Sequence, residues 1–154
     1  MLTITRNGFF SRNLDVRDGI APVAEITMSS FRERAELRVG TELYEARRIG
    51  WVNSALVLER QGTEVARAEP EGFFRRAYHI RTNRATFTLK PEGFFRTNYV
   101  LTDGDTNVGT IQRTGFFRSN LEAAFRPEVD RAVQVFAVWV VAVLLRRAAA
   151  AAAG

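Results

Sequence analysis

The sequence has no cysteine, one histidine and one lysine, and each scarcity removes a class of chemistry. Without cysteine there are no disulfides, and no thiolate can ligate a metal or attack a substrate. With His79 as the only imidazole, neither a histidine metal cluster nor a pair of histidine proton shuttles can be built. Because His79 stands between Tyr78 and Ile80 in an extended stretch, a satisfied structural role is expected for it. No Gly-rich loop followed by lysine is present to cradle a phosphate, and Ser29 and Ser30 lack the turn context of a nucleophilic serine. Glu69, Glu71 and Glu92 are free carboxylates in sequence, but nothing places two of them across a cleft. No catalytic residues, cofactor or metal are expected, and the chain reads as a non-enzyme.

What is there is arginine. Lys90 is the lone lysine among 22 basic residues, leaving 21 arginines against 17 acids and a net charge of +5. Guanidinium forks match phosphate and carboxylate and stack on aromatic rings, which points to an anionic partner such as lipid headgroups or nucleic acid. Codon bias toward arginine and alanine, visible in the alanine tract at 148–153, accounts for the same composition without any partner.

At 154 residues and 46% hydrophobic the chain is long and apolar enough to bury one core. Residues 34–39 alternate Ala35, Leu37 and Val39 with Glu36 and Arg38, the period of two that gives a strand one apolar face. Residues 85–90 repeat this with Phe87 and Leu89. Gln61-Gly62 separates strand-like runs at 54–60 and 63–68, and the segment 103–107 separates 98–102 from 108–113, both as hairpins. Further strands are expected at 3–6, 10–17, 23–29, 42–48, 73–81 and 121–125. Ten to twelve short strands with no Pro/Ser-rich linker make one mainly β domain, spaced as an up-and-down sheet or barrel. Asp103, Asp105 and Asn107 have the alternate spacing that opens a calcium loop. Gly104 is misplaced for that loop and Thr114 stands where the closing acid belongs, so a plain turn is expected.

After Pro127 the pattern changes. Pro127, Glu128 and Asp130 suit a helix N-terminus, Arg146 and Arg147 suit its C-terminus, and residues 132–145 are apolar at every position except Gln134. A helix apolar all round is buried in protein or membrane. At about 1.5 Å per residue this run spans roughly 21 Å, short of the ~30 Å hydrocarbon core. The alternative is a helix inside a barrel, which needs eleven or twelve strands to leave room for it. Thus the chain reads as one domain over 1–147 with a buried helix at about 128–147, followed by a disordered alanine-rich tail at 148–154. A tail anchor carrying a cytoplasmic β domain is the competing arrangement.

Many strands followed by one terminal apolar helix resemble the tubby-like superfamily, which includes the plant LURP-one-related proteins and the phospholipid scramblases. Segments 43–48 (LYEARR), 107–111 (NVGTI) and 135–141 (VFAVWVV) carry the resemblance. It implies a closed barrel of about twelve antiparallel strands around a central helix, and activities directed at phosphoinositides or membranes. No motif lets the family's lipid-binding residues be carried over by position.

The most distinctive local feature is a triad, Gly-Phe-Phe, at Gly8, Gly72, Gly93 and Gly115, which holds eight of the twelve phenylalanines. If these segments are strands, Phe73 shares a face with Arg75, Phe94 with Arg96, and Phe116 with Arg118. The second phenylalanine of each triad would then face the helix. That arginine-bearing face suits anionic phospholipid, with nucleic acid the disfavoured partner. Arginines simply stacked on phenylalanines over a packed core are the structural alternative. A non-catalytic module for an anionic lipid surface is therefore expected, with a membrane-anchored protein or an interaction scaffold as alternatives. Residues 1–10 have no basic stretch followed by an apolar one, so a cytoplasmic location, peripheral at the membrane, is expected.

Overall fold

In the computed structural model the described residues are 1–7, 12–52, 54–72, 77–93, 97–114 and 120–154. Twelve strands alternate up and down: β1 Leu2–Arg6, β2 Asn13–Asp18, β3 Ala21–Met28, β4 Arg34–Val39, β5 Glu42–Ile49 and β6 Ala55–Arg60. They continue as β7 Thr63–Pro70, β8 Tyr78–Thr82, β9 Thr86–Glu92, β10 Asn98–Asp103, β11 Thr106–Thr114 and β12 Asn120–Phe125. Every strand pairs antiparallel with its sequence neighbours, and β1 closes on β12 through Leu2↔Ala123, Thr3↔Glu122 and Ile4↔Leu121. Closure leaves no unpaired edge.

The alternation that marked the strands is the alternation of the wall. In β4 Ala35, Leu37 and Val39 are buried while Arg34, Glu36 and Arg38 are exposed. Gly109 in β11 is needed for packing: a Cβ there would stand 2.5 Å from Cδ1 of Phe125 on β12. At Gln61-Gly62 both residues have positive φ (51° and 79°), the type I′ geometry that matches strand twist in a two-residue hairpin.

Helix α1, Arg131–Ala153, threads the barrel. Val133 through Val141 are all buried, and Phe136 and Trp139 stack with centroids 6.0 Å apart among the inward side chains of the strands. The one polar side chain in this stretch, Gln134, is also buried and donates through Nε2 to the Val129 carbonyl at 2.8 Å. A closed barrel around a buried terminal helix is thus the architecture. Its helix differs from the sequence reading at both ends. Residues 127–129 form a turn and Asp130 the N-cap, so the helix starts at Arg131. At the other end the alanines expected as a disordered tail continue as exposed helix to Ala153. Alanine has the highest helix propensity, and a helix already nucleated in the core propagates into it at little cost.

Candidate functional site: one end of the barrel

An up-and-down barrel sorts its connections into two sets, one at each end. Segments 19–20, 40–41, 61–62, 83–85 and 104–105 join strands at what we call the lower end, where residues 126–130 also lead into the helix. The connections 7–12, 29–33, 50–54, 71–77, 93–97 and 115–119 belong to the strand ends of the upper rim. Backbone hydrogen bonds tie neighbours together there: Met28 N to Arg12 O at 3.1 Å, Arg48 N to Glu33 O at 3.0 Å, and Arg113 N to Thr97 O at 3.2 Å.

The helix runs from lower to upper end, as the side chains at its two ends show. Arg131 donates to Asp18 at the β2–β3 turn at 3.1 Å. At the other end Arg146 Nη2 donates to the Ser30 carbonyl at 2.6 Å and both its Nη atoms to the Ser29 carbonyl. Arg147 grips Glu33 through two nitrogens, Nη2 to Oε1 at 2.7 Å, and donates from Nη1 to the Tyr78 hydroxyl at 3.0 Å. Partial burial works to raise the Glu33 carboxyl, but the hydrogen bonds and charge of Arg147, with Arg48 and Arg146 behind it, hold it below the ordinary carboxylate range. The Glu33 hydrogen bond in turn raises Arg147. The upper end of the helix is therefore clamped to the 29–33 connection.

Much of the charge on the outer wall is paired across strands. Register sets like charges directly opposite, as at Arg34↔Arg47, Glu36↔Glu45 and Glu45↔Glu59. Diagonal neighbours then pair, Arg34 with Glu45 and Arg47 with Glu59, the latter at 2.6 Å. Arg67 joins Glu64 at 2.7 Å and Glu69 at 3.7 Å, and Arg81 joins Glu69 at 3.8 Å. An open recess of about 760 Å³ on this wall is lined by Arg34, Glu45, Glu59 and Arg60 together with Leu43 and Tyr44, and these charged side chains are already engaged in ion pairs. On the same outer surface Thr88 Oγ1 lies 3.3 Å from His79 Nδ1, and Glu71 lies 3.8 Å from its Nε2, which gives the lone histidine partners of its own.

The upper rim differs. Phe31 is 95% exposed, Trp51 97% and Val52 75%. Arg12 and Arg32 on the same rim are also exposed, with no acidic partner among the described residues. Large apolar side chains left in water at the end that also carries these guanidiniums are the feature packing does not explain.

The six residues singled out from the sequence, Phe73, Arg75, Phe94, Arg96, Phe116 and Arg118, lie outside the described residues, as do the other members of the four triads except Gly72 and Gly93. Of the strand expected over 73–81, β8 covers Tyr78–Thr82, and β2 begins at Asn13 rather than at 10. The described strands bordering each triad nevertheless all meet the upper end. Sequence reasoning missed Phe31 and Trp51, although a signal was available. Phe9, Phe31, Trp51, Phe73, Phe94 and Phe116 stand 22, 20, 22, 21 and 22 residues apart, one aromatic per up-and-down strand pair. That spacing is close to one hairpin repeat, and the two described members, Phe31 and Trp51, both fall at the upper end.

Asp103 ends β10 and Thr106 starts β11, making 104–105 a turn in which no calcium loop is formed; the Asn107 side chain accepts from Gly109 N at 3.0 Å. Among the described residues no group of three His, Asp or Glu side chains is placed to hold a metal. No family model matches the chain, and no curated protein or solved structure matches it.

Proposed function

We propose that this barrel is a non-catalytic module that binds an anionic lipid surface. The observation that carries the reading is the charge of the upper rim: Arg12 and Arg32 are exposed with no acidic partner among the described residues, whereas Arg34, Arg47 and Arg67 on the wall are each paired with a glutamate. In sequence the connections belonging to that rim also hold Arg75, Arg76, Arg96 and Arg118, against the acids Glu33 and Glu71. Guanidinium is weakly hydrated and forks onto phosphate oxygens, so the rim suits phospholipid headgroups.

The same reading includes membership of the tubby-like superfamily, supported by twelve strands closed around a C-terminal helix. The anchored alternative rests on a helix long and apolar enough to cross a membrane. It would require withdrawing Phe136 and Trp139, both 0% exposed, from the barrel, which favours the peripheral module.

Vesicle co-sedimentation tests the reading. Binding should rise with the phosphatidylserine content of phosphatidylcholine vesicles and fall as salt screens it. Charge reversal at Arg75, Arg96 and Arg118 together should abolish it, each arginine contributing about 1 kcal/mol near the surface, with the melting transition unchanged. Wild-type protein that ignores acidic vesicles at low salt would refute the proposal.

A further inference from the structure

Electrostatic attraction alone would let any face with surplus arginine adsorb to a membrane. It does not account for Phe31 and Trp51, which the fold holds almost entirely in water at one end. We infer that docking is end-on and inserting: the upper rim enters the interfacial layer of an acidic bilayer with the barrel axis along the bilayer normal. Phe31 and Trp51 act as apolar wedges among the headgroups, and Arg12 and Arg32 lie at phosphate level. This inference rests on the anionic-surface reading above and adds which end meets lipid, in what orientation, and by what second force.

Three observations support it. Trp51 and Phe31 belong to successive connections of the same rim, 50–54 and 29–33, and the end of β5 leading into the first is tied to the second by the Arg48 N to Glu33 O hydrogen bond. Tryptophan with one apolar body and one polar N–H is suited to the membrane interface. Exposed arginine on the same rim, Arg32 on the 29–33 connection and Arg12 on 7–12, supplies the charge complement for acidic lipid. The periodic spacing adds that every other hairpin repeat also carries an aromatic at the equivalent position. The connection that carries Phe31 is held in place, because Arg146 and Arg147 pin 29–33 to the core helix. The lower end exposes Ile20 and Met1 but no aromatic side chain among the described residues, and Asp18 beside them is already paired with Arg131.

The two ends can be compared with tryptophan reporters and vesicles of phosphatidylserine mixed with brominated phosphatidylcholine, whose bromines quench only residues that reach the acyl region. Wild-type Trp51 reports on the upper end; Ile20→Trp in a Trp51→Phe background reports on the lower, with buried Trp139 a constant background in both. The expected result is strong quenching and a blue shift for Trp51 and none for the lower reporter. The double variant Phe31→Ser/Trp51→Ser should keep salt-sensitive capture but lose about tenfold or more in affinity, as burial of two large apolar side chains implies. Binding with both reporters unquenched, or quenched alike, would overturn end-on insertion while leaving the anionic-surface reading intact. A complete lack of vesicle binding would remove both. Sedimentation of the free protein should give a monomer. A dimer that Trp51→Ser dissociates would show a second copy covering the rim and would also overturn the inference.

Discussion

The two ends of the barrel are built from the same twelve strands and do opposite things with their connections. At the lower end five connections of two or three residues turn the chain with geometry such as the Gln61-Gly62 pair. At the upper end the connections run to five residues and more, and two of them present Phe31 and Trp51 to solvent. Tight turns minimise the loop entropy and expose little apolar area. Longer connections tipped with aromatics do neither, so stability does not explain them. The difference teaches that in this fold one end is optimised for closing the barrel and the other is available for contact.

The sharpest way to break the comparison is to remove what holds the two ends in a common frame. Trp139 lies at the middle of the threaded helix with no exposed surface. Trp139→Asp places an unpaired carboxylate in an apolar interior, at a cost of several kcal/mol, and should abolish the cooperative melting transition. Trp139→Phe should stay folded, because the indole N–H has no hydrogen-bond partner to lose. A soluble, stable β domain carrying Trp139→Asp would mean the barrel closes without the helix.

A smaller effect is expected at the upper clamp. The Glu33 carboxyl is held below its ordinary value of 4.5 by Arg147, so its stabilisation is fully present above the unfolded value and is lost as pH falls through the folded one. Glu33→Gln should therefore lower stability by about 1–2 kcal/mol near neutral pH. The difference from wild type should shrink and vanish in acid, as denaturant titrations across pH would show. A constant difference at all pH values would mean that the variant acts through packing rather than through charge.

Much of this architecture was legible in the sequence for physical reasons. Alternation such as Ala35, Leu37 and Val39 survives as the two faces of a wall because a strand cannot hide its period. The run around Trp139 was readable as a core helix because a 21 Å apolar helix is too short for a bilayer and fits a barrel of this size. Helix ends were less legible: the alanines at 148–153 carry no tertiary information, and their helicity follows from propagation out of the core. The upper rim was only half legible. The Gly-Phe-Phe triads advertise themselves, but apart from Gly72 and Gly93 they lie outside the described residues. Phe31 and Trp51 escaped notice because each lacks the full triad; Ser30 stands in place of glycine at one and Val52 in place of the second phenylalanine at the other. Only the spacing of about one hairpin, rather than the motif itself, unites all six positions.

The absence of cysteine makes the central claim directly measurable, since any cysteine introduced is the only one present. Val52→Cys on the upper rim and Thr41→Cys in the lower β4–β5 turn can each be labelled with a soluble maleimide, with and without phosphatidylserine-containing vesicles. Contact through one end predicts that vesicles slow labelling at Val52→Cys severalfold while Thr41→Cys reacts at its unchanged rate. Protection at Thr41→Cys, or equal rates at Val52→Cys with the protein demonstrably bound, would contradict it.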